Sequence, residues 1–185
     1  MKVFISILCM SFFFACEHRN KKEDSYPALS PDPHSFSFPS KARTTHLNLD
    51  IECNFEKKQI IGAALYDIQQ NASDEIVLDM MNLKIDDVWI IDENAVEKKA
   101  EFQLGETDPI LGTPLKIKIN STTKKIKINY RTGEDAIALQ WLSAGQTNTK
   151  EKPYLLTQSQ SIYARSWIPC QDGPGVRFSY HATVK

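Results

Sequence analysis

Glycine is scarce in this chain, seven among 185 residues, and those seven form no glycine-rich loop. A backbone cradle for phosphate needs closely spaced glycines ahead of a helix, so nucleotide binding has no support. Histidine is equally thin: His18, His34, His46 and His181 stand singly, none within His-Glu-x-x-His and none four residues from another. A helix-borne pair of metal ligands is thereby excluded. Net charge is nearly absent, 22 basic against 23 acidic residues, and nothing marks the chain as a nucleic-acid binder. No apolar stripe at the roughly 3.6-residue helical period extends beyond about ten residues, and the helical candidates, around Asp86 and from Asn94 to Lys99, are short. Predominantly helical folds drop out.

Four cysteines remain to be placed. The chain opens MKVFISILCMSFFFAC, one lysine followed by an apolar run too short to span a bilayer, which reads as a secretion signal over residues 1–16. Cys9 lies inside that signal. Cys16 follows a small residue at the end of the run and precedes the polar stretch EHRNKKEDS, the pattern of a bacterial lipoprotein signal with Cys16 as the lipidated first mature residue. Residues 17–31, charged and poor in core-forming side chains, then read as a flexible tether, and residues 32–185 as one domain. The expected location is the bacterial cell envelope, with membrane attachment through the lipid alone. Cys53 and Cys170 fall in the folded part without metal-ligand spacing, and no disulfide between them is predicted.

What is present is alternation. In TTHLNLDIECNF the residues Leu47, Leu49, Ile51, Cys53 and Phe55 share one face. A charged turn leads into IIGAALYDIQ, and NASD separates that run from EIVLDM, so three consecutive strands in a meander are expected. LKIDDVWII, PLKIKIN and KKIKINYRT repeat the pattern; Ile126, Ile128 and Tyr130 oppose Lys125, Lys127 and Asn129, with lysine marking the solvent face. Asp86 and Asp87, and Asp32 in PDPH, read as turn or cap residues. The fold class is all-β.

One stretch departs from the pattern: in TQSQSIYARSWIPCQDGPG, residues 157–175, the uncharged polar residues Gln158, Ser159, Gln160 and Ser161 run consecutively. Read as a strand, it carries at least one amide-rich face suited to recognition. Together with ALQWL at 138–142, KEKPYLL before it, the closing VRFSYHATVK and the opening DPHSFS, it makes a long ordered string. That string resembles the N-terminal domain of the M1-family zinc aminopeptidases, in the leukotriene A(4) hydrolase branch, from about Asp32 onward.

The resemblance implies a saddle-like, mainly antiparallel β domain packed against a separate catalytic domain. In that family zinc is held by His-Glu-x-x-His with a distant Glu, and a Gly-x-Met-Glu-Asn strand holds the peptide; neither motif occurs here. No cofactor is therefore expected on this chain, and zinc is expected in the missing catalytic domain. These 185 residues alone are not expected to hydrolyse a peptide. By position in the motif, Gln160 is implied to hold the substrate's amino-terminal residue, with Gln158 beside it and Ser159 and Ser161 giving mainly backbone contacts. Arg165, Cys170, Gln171 and Asp172 fix the following turn, Asp172 accepting backbone N–H bonds near Gly173 and Pro174; Trp141 and Trp167 are core or domain-contact aromatics. The expected partners are the catalytic domain of the same enzyme and a peptide N-terminus. An alternative stays open: a stand-alone envelope lipoprotein that binds through the same β fold. VRFSYHATVK breaks off while still alternating, which favours the aminopeptidase expectation.

Overall fold

The computed structural model describes residues 31–185. The signal segment 1–16, the lipidation candidate Cys16 and nearly all of the tether lie outside the described residues. Among the described residues no helix is long and apolar enough to cross a membrane.

Strand β1 (Ala42–Asn54) and β2 (Gln59–Gln70) form the expected hairpin. Their alternation carries an interruption that the sequence hides: Thr44 pairs with Ile68 but His46 with Asp67, so Thr45 is an extra residue. This bulge switches the buried set from Ala42 and Thr44 to Leu47, Leu49 and Ile51. Three further strands, β3 (Glu75–Met80), β4 (Lys84–Asp92) and β5 (Glu97–Lys99), follow in sequence. Here the meander expectation fails. β3 leaves the first sheet and pairs instead with β7 (Thr113–Lys118), which in turn pairs with β6 (Phe102–Leu104). The reason lies in composition, since Ile76 to Met80 are all buried and such a strand needs cover on both faces. The helical candidates around Asp86 and from Asn94 to Lys99 lie in β4, the following turn and β5.

Strand β8 (Thr123–Arg131) occupies the middle of the main sheet, between β2 and β4, with Ile126, Ile128 and Tyr130 fully buried. Lys125 and Lys127 point the other way, Lys125 pairing with Asp67 at 2.8 Å. Asp86 and Asp87 are strand residues at a bulge rather than caps: Asp86 pairs with Arg131, and Asp87 accepts from Trp89 Nε1 and Asn129 Nδ2. β9 (Leu139–Leu142) and β10 (Tyr154–Thr157) make a separate hairpin. β11 (Ser179–Val184) returns to the edge of the main sheet, parallel to β1, so the sheet order is β11-β1-β2-β8-β4-β5. Apart from that one parallel pair the ladders are antiparallel, and the domain is all-β. Leu47, Ile128 and Tyr66 of the main sheet join Leu78, Leu115 and Ile117 of the smaller one in a single apolar core.

Candidate functional site

The polar stretch is not the strand that was expected. Only Thr157 belongs to β10; beyond it the Gln158 N–H makes one more ladder bond, to Ala138 O at 2.9 Å, and the chain turns. Consecutive polar residues offer no apolar face to bury, and their side chains compete for nearby backbone groups, so a turn prevails over a longer strand. Gln160 N donates to Gln158 Oε1 at 3.1 Å, and Tyr163 N to Ser159 O at 2.9 Å. The Gln160–Ser161 peptide is cis. A single 3-10 turn, Ala164–Ser166, follows.

Within this loop the four predicted residues separate by exposure and by partner. Ser159 is half-buried and its Oγ accepts from Trp167 Nε1 at 3.1 Å. Gln158 is exposed, but its carbonyl oxygen is already engaged by the loop's own backbone. Gln160 and Ser161 are exposed, and the Gln160 side-chain amide makes no hydrogen bond among the described residues. Gln160 thus keeps both an acceptor and two donors available. The Ser159 hydroxyl braces the loop from inside, and the contacts expected of Ser159 toward a substrate are those of its main chain.

Behind the loop sits a buried ionic network. The Arg165 side chain is fully buried; its Nε donates to Asp172 Oδ2 at 3.1 Å, Nη1 to Leu111 O at 2.8 Å and Nη2 to His34 O at 2.8 Å. Asp79, in β3, lies 3.8 Å from Arg165 Nη2 and accepts three bonds, from Phe36 N, Ser35 Oγ and Asp172 N. Every charge is therefore paired or hydrogen-bonded, the condition for tolerating it inside. Asp172 accepts from Arg165 N and Nε rather than from backbone near Gly173, and its main-chain N–H is the one that reaches Asp79. Gln171 is buried, donating to Ala42 O at 2.9 Å and accepting from Thr44 N at 3.0 Å. The backbone of Cys170 bridges Asp79 in both directions, which covers the free edge of β3. DPHSFS and PCQD, distant in sequence, meet here.

Burial raises the Asp172 carboxyl above the usual range despite the opposing pull of Arg165. Burial likewise pushes the Cys170 thiol up, with the Asp172 and Asp79 charges adding to the effect. Cys53 and Cys170 are both free thiols, half-buried and buried respectively. Trp141 and Trp167 pack partly buried against the core, Trp141 edge-on to Phe55 with ring centroids 5.2 Å apart. Of the histidines, His46 Nδ1 lies 2.7 Å from Ser179 Oγ, while the His34 imidazole lies beside Asp32. Among the described residues no group of three or more His, Cys, Asp or Glu could hold a metal ion. The donor set of the described residues does not fit zinc.

A family model for the peptidase M1 N-terminal domain matches residues 43–185. The chain belongs to this family. Two relatives of the M1 domain are leucine aminopeptidase 2 of Phaeosphaeria nodorum, 33% identical over 161 residues, and leukotriene A-4 hydrolase of Xenopus laevis, 34% identical over 160 residues. Each match covers 83% of this chain, but 25% of the first relative and 26% of the second. Native yeast LTA4 hydrolase superposes on the M1 domain with a TM-score of 0.76 at 32% identity, covering 86% of this chain and 26% of that one. The chain therefore spans about a quarter of the length of the curated relatives it matches. Asp79 and the buried Ser166, whose Oγ donates to Tyr163 O at 2.8 Å and accepts from Ala138 N at 3.0 Å, were missed among the groups behind the loop. Asp79 had a readable signal, a lone acid at the end of an apolar strand; Ser166 had none.

Proposed function

We propose that this chain is the amino-terminal β domain of an exported, lipid-anchored M1 aminopeptidase, where it caps the active-site cleft and holds the substrate's free amino terminus with Gln160. Gln158, Ser159 and Ser161 complete that loop, Gln158 and Ser159 as its internal braces. Hydrolysis belongs to a zinc-bearing catalytic portion carrying His-Glu-x-x-His, to which this domain would be joined. The reading is supported by one observation above others: in a chain of this family, Gln160 presents an exposed, uncommitted amide on a loop otherwise closed by its own hydrogen bonds.

The chemistry suits the task. The Gln160 carbonyl oxygen accepts from a substrate ammonium, and its NH2 donates to a peptide carbonyl, without adding a negative charge that would attract any cation indiscriminately. A hydrogen bond to a charged group contributes about 1.5–3 kcal/mol, so one lost contact weakens binding by about tenfold or more. Joined to a catalytic portion, the Gln160→Ala enzyme is expected to show a KM raised about tenfold with kcat little changed. An unchanged kcat/KM would remove the assignment.

A further inference from the structure

We infer that Ser166 is the residue that positions the glutamine loop, a role resting on the substrate-contact reading of Gln160. The side chain is 1% exposed, and one hydroxyl serves two clients: it donates to Tyr163 O at 2.8 Å and accepts from Ala138 N at 3.0 Å. Ala138 O in turn accepts from Gln158 N at 2.9 Å, and Tyr163 N donates to Ser159 O at 2.9 Å. The bonds form a closed ring. It runs from Ser166 through Ala138 to Gln158, the start of the loop, and from Ser166 through Tyr163 back to Ser159. Both ends of the segment that carries Gln160 are therefore referred to Ser166, which reaches Tyr163 O through its main-chain N–H as well as its hydroxyl.

The Ser166 main-chain N–H also reaches Tyr163 O, at 3.0 Å, so what the hydroxyl alone supplies is the acceptor for Ala138 N. The hydroxyl uses its one donor and an acceptor at once, and Ala138 is itself fully buried, so its N–H has no water to turn to. Arg165 and Asp79 anchor the segment just behind the loop, but their side-chain bonds reach residues 34–36, 111 and 172 and none runs to 158–163. Ser166 links that rigid base to the loop of the exposed amide, beside the Trp167 Nε1 bond to Ser159 Oγ. A catalytic or recognition group must be held to a fraction of an ångström to act, which gives the hydroxyl its functional weight.

Two measurements test this. In the 185-residue chain, hydrogen exchange of Ser166→Ala is expected to lose protection by about tenfold or more at the Ala138 and Gln158 amides, while the Phe36 and Asp172 amides, held by Asp79, keep theirs. Ser166→Cys, a milder change with a weak donor, should give a smaller loss at the same two amides. Protection unchanged at Ala138 and Gln158, or lost equally at all four amides, overturns the role. In the enzyme bearing its catalytic portion, Ser166→Ala should raise KM about tenfold with kcat within about twofold, and adding it to Gln160→Ala should cost nothing more. Ser166→Thr, which keeps the hydroxyl, should restore KM. Fully additive effects refute the positioning role, whereas a silent Gln160→Ala refutes the substrate contact and leaves the exchange result to judge Ser166 on its own.

Discussion

Replacing Arg165 with Met should be the most damaging single change in the domain, and its size follows from what the guanidinium touches. Removal of one partner from a buried ion pair costs about 3–5 kcal/mol, because the remaining charge stays inside without compensation. Asp79 is partly insured, since Phe36 N, Ser35 Oγ and Asp172 N still donate to it. Asp172 keeps only the main-chain N–H of residue 165 from its present donors, and the carbonyls of His34 and Leu111 each lose theirs. The expected loss is about 3–4 kcal/mol, a large share of the roughly 5–15 kcal/mol available to a domain. A urea titration followed by the fluorescence of Trp89, Trp141 and Trp167 measures it directly. With a slope of about 2 kcal/mol/M the midpoint should fall by about 1.5–2 M at unchanged slope. Arg165→Lys keeps the charge but not the planar fork, so it should recover only part of the loss. A midpoint shift below about 0.5 M for Arg165→Met, or full recovery by Lys, would refute the account of this network.

Two further outcomes are expected. Because the folded-state Asp172 carboxyl titrates above its ordinary value of about 3.9, its contribution is fully present below that value and is lost as pH rises through the raised one. Wild-type unfolding free energy should therefore carry a component that declines as pH rises above about 4, and Asp172→Asn should remove it; equal pH slopes for the two proteins in urea titrations would contradict this. For the proposed anchor at Cys16, the mature protein isolated from membranes should begin at that residue and carry the mass of a diacylglyceryl group. A mature amino terminus without the adduct excludes lipidation.

Period-two alternation carried most of the strands into view, because half-buried antiparallel strands have to alternate. β1, β2, β7 and β8 were legible in this way, down to the opposed faces of Ile126 and Lys125. Alternation says nothing of which sheet a strand joins. β3 was placed in a meander with β2, yet its run of buried residues sends it to β7, and only the unbroken apolar run of Ile76, Val77 and Leu78 hinted at the difference. The parallel return of β11 beside β1 had no local signal either, since parallel and antiparallel edge strands read alike over six residues. At the site, the fold-fixing part of Arg165, Gln171 and Asp172 was legible and their particular partners were not. A side chain's role depends on which backbone groups come within about 3 Å, and that is decided by closure of the loop.

The same closure distinguishes Gln158 from Gln160, two residues that the sequence offers as equals. A primary amide brings one acceptor atom and two donors, and a substrate ammonium requires the acceptor. Gln158 already directs its carbonyl oxygen at the Gln160 N–H, so engaging an ammonium there would mean sharing that oxygen or opening the turn that presents its neighbour. Gln160 faces no such conflict. The internal bond also lowers the freedom of the loop before any ligand arrives, and preorganisation of this kind reduces the ordering cost of binding. The division extends downstream, where Arg165, Gln171 and Asp172 spend every polar contact on the fold itself. The polarity of TQSQSIYARSWIPCQDGPG thus has two separate causes: at its beginning an exposed loop in which the Gln160 amide makes no bond among the described residues, and at its end buried polar groups committed to the fold.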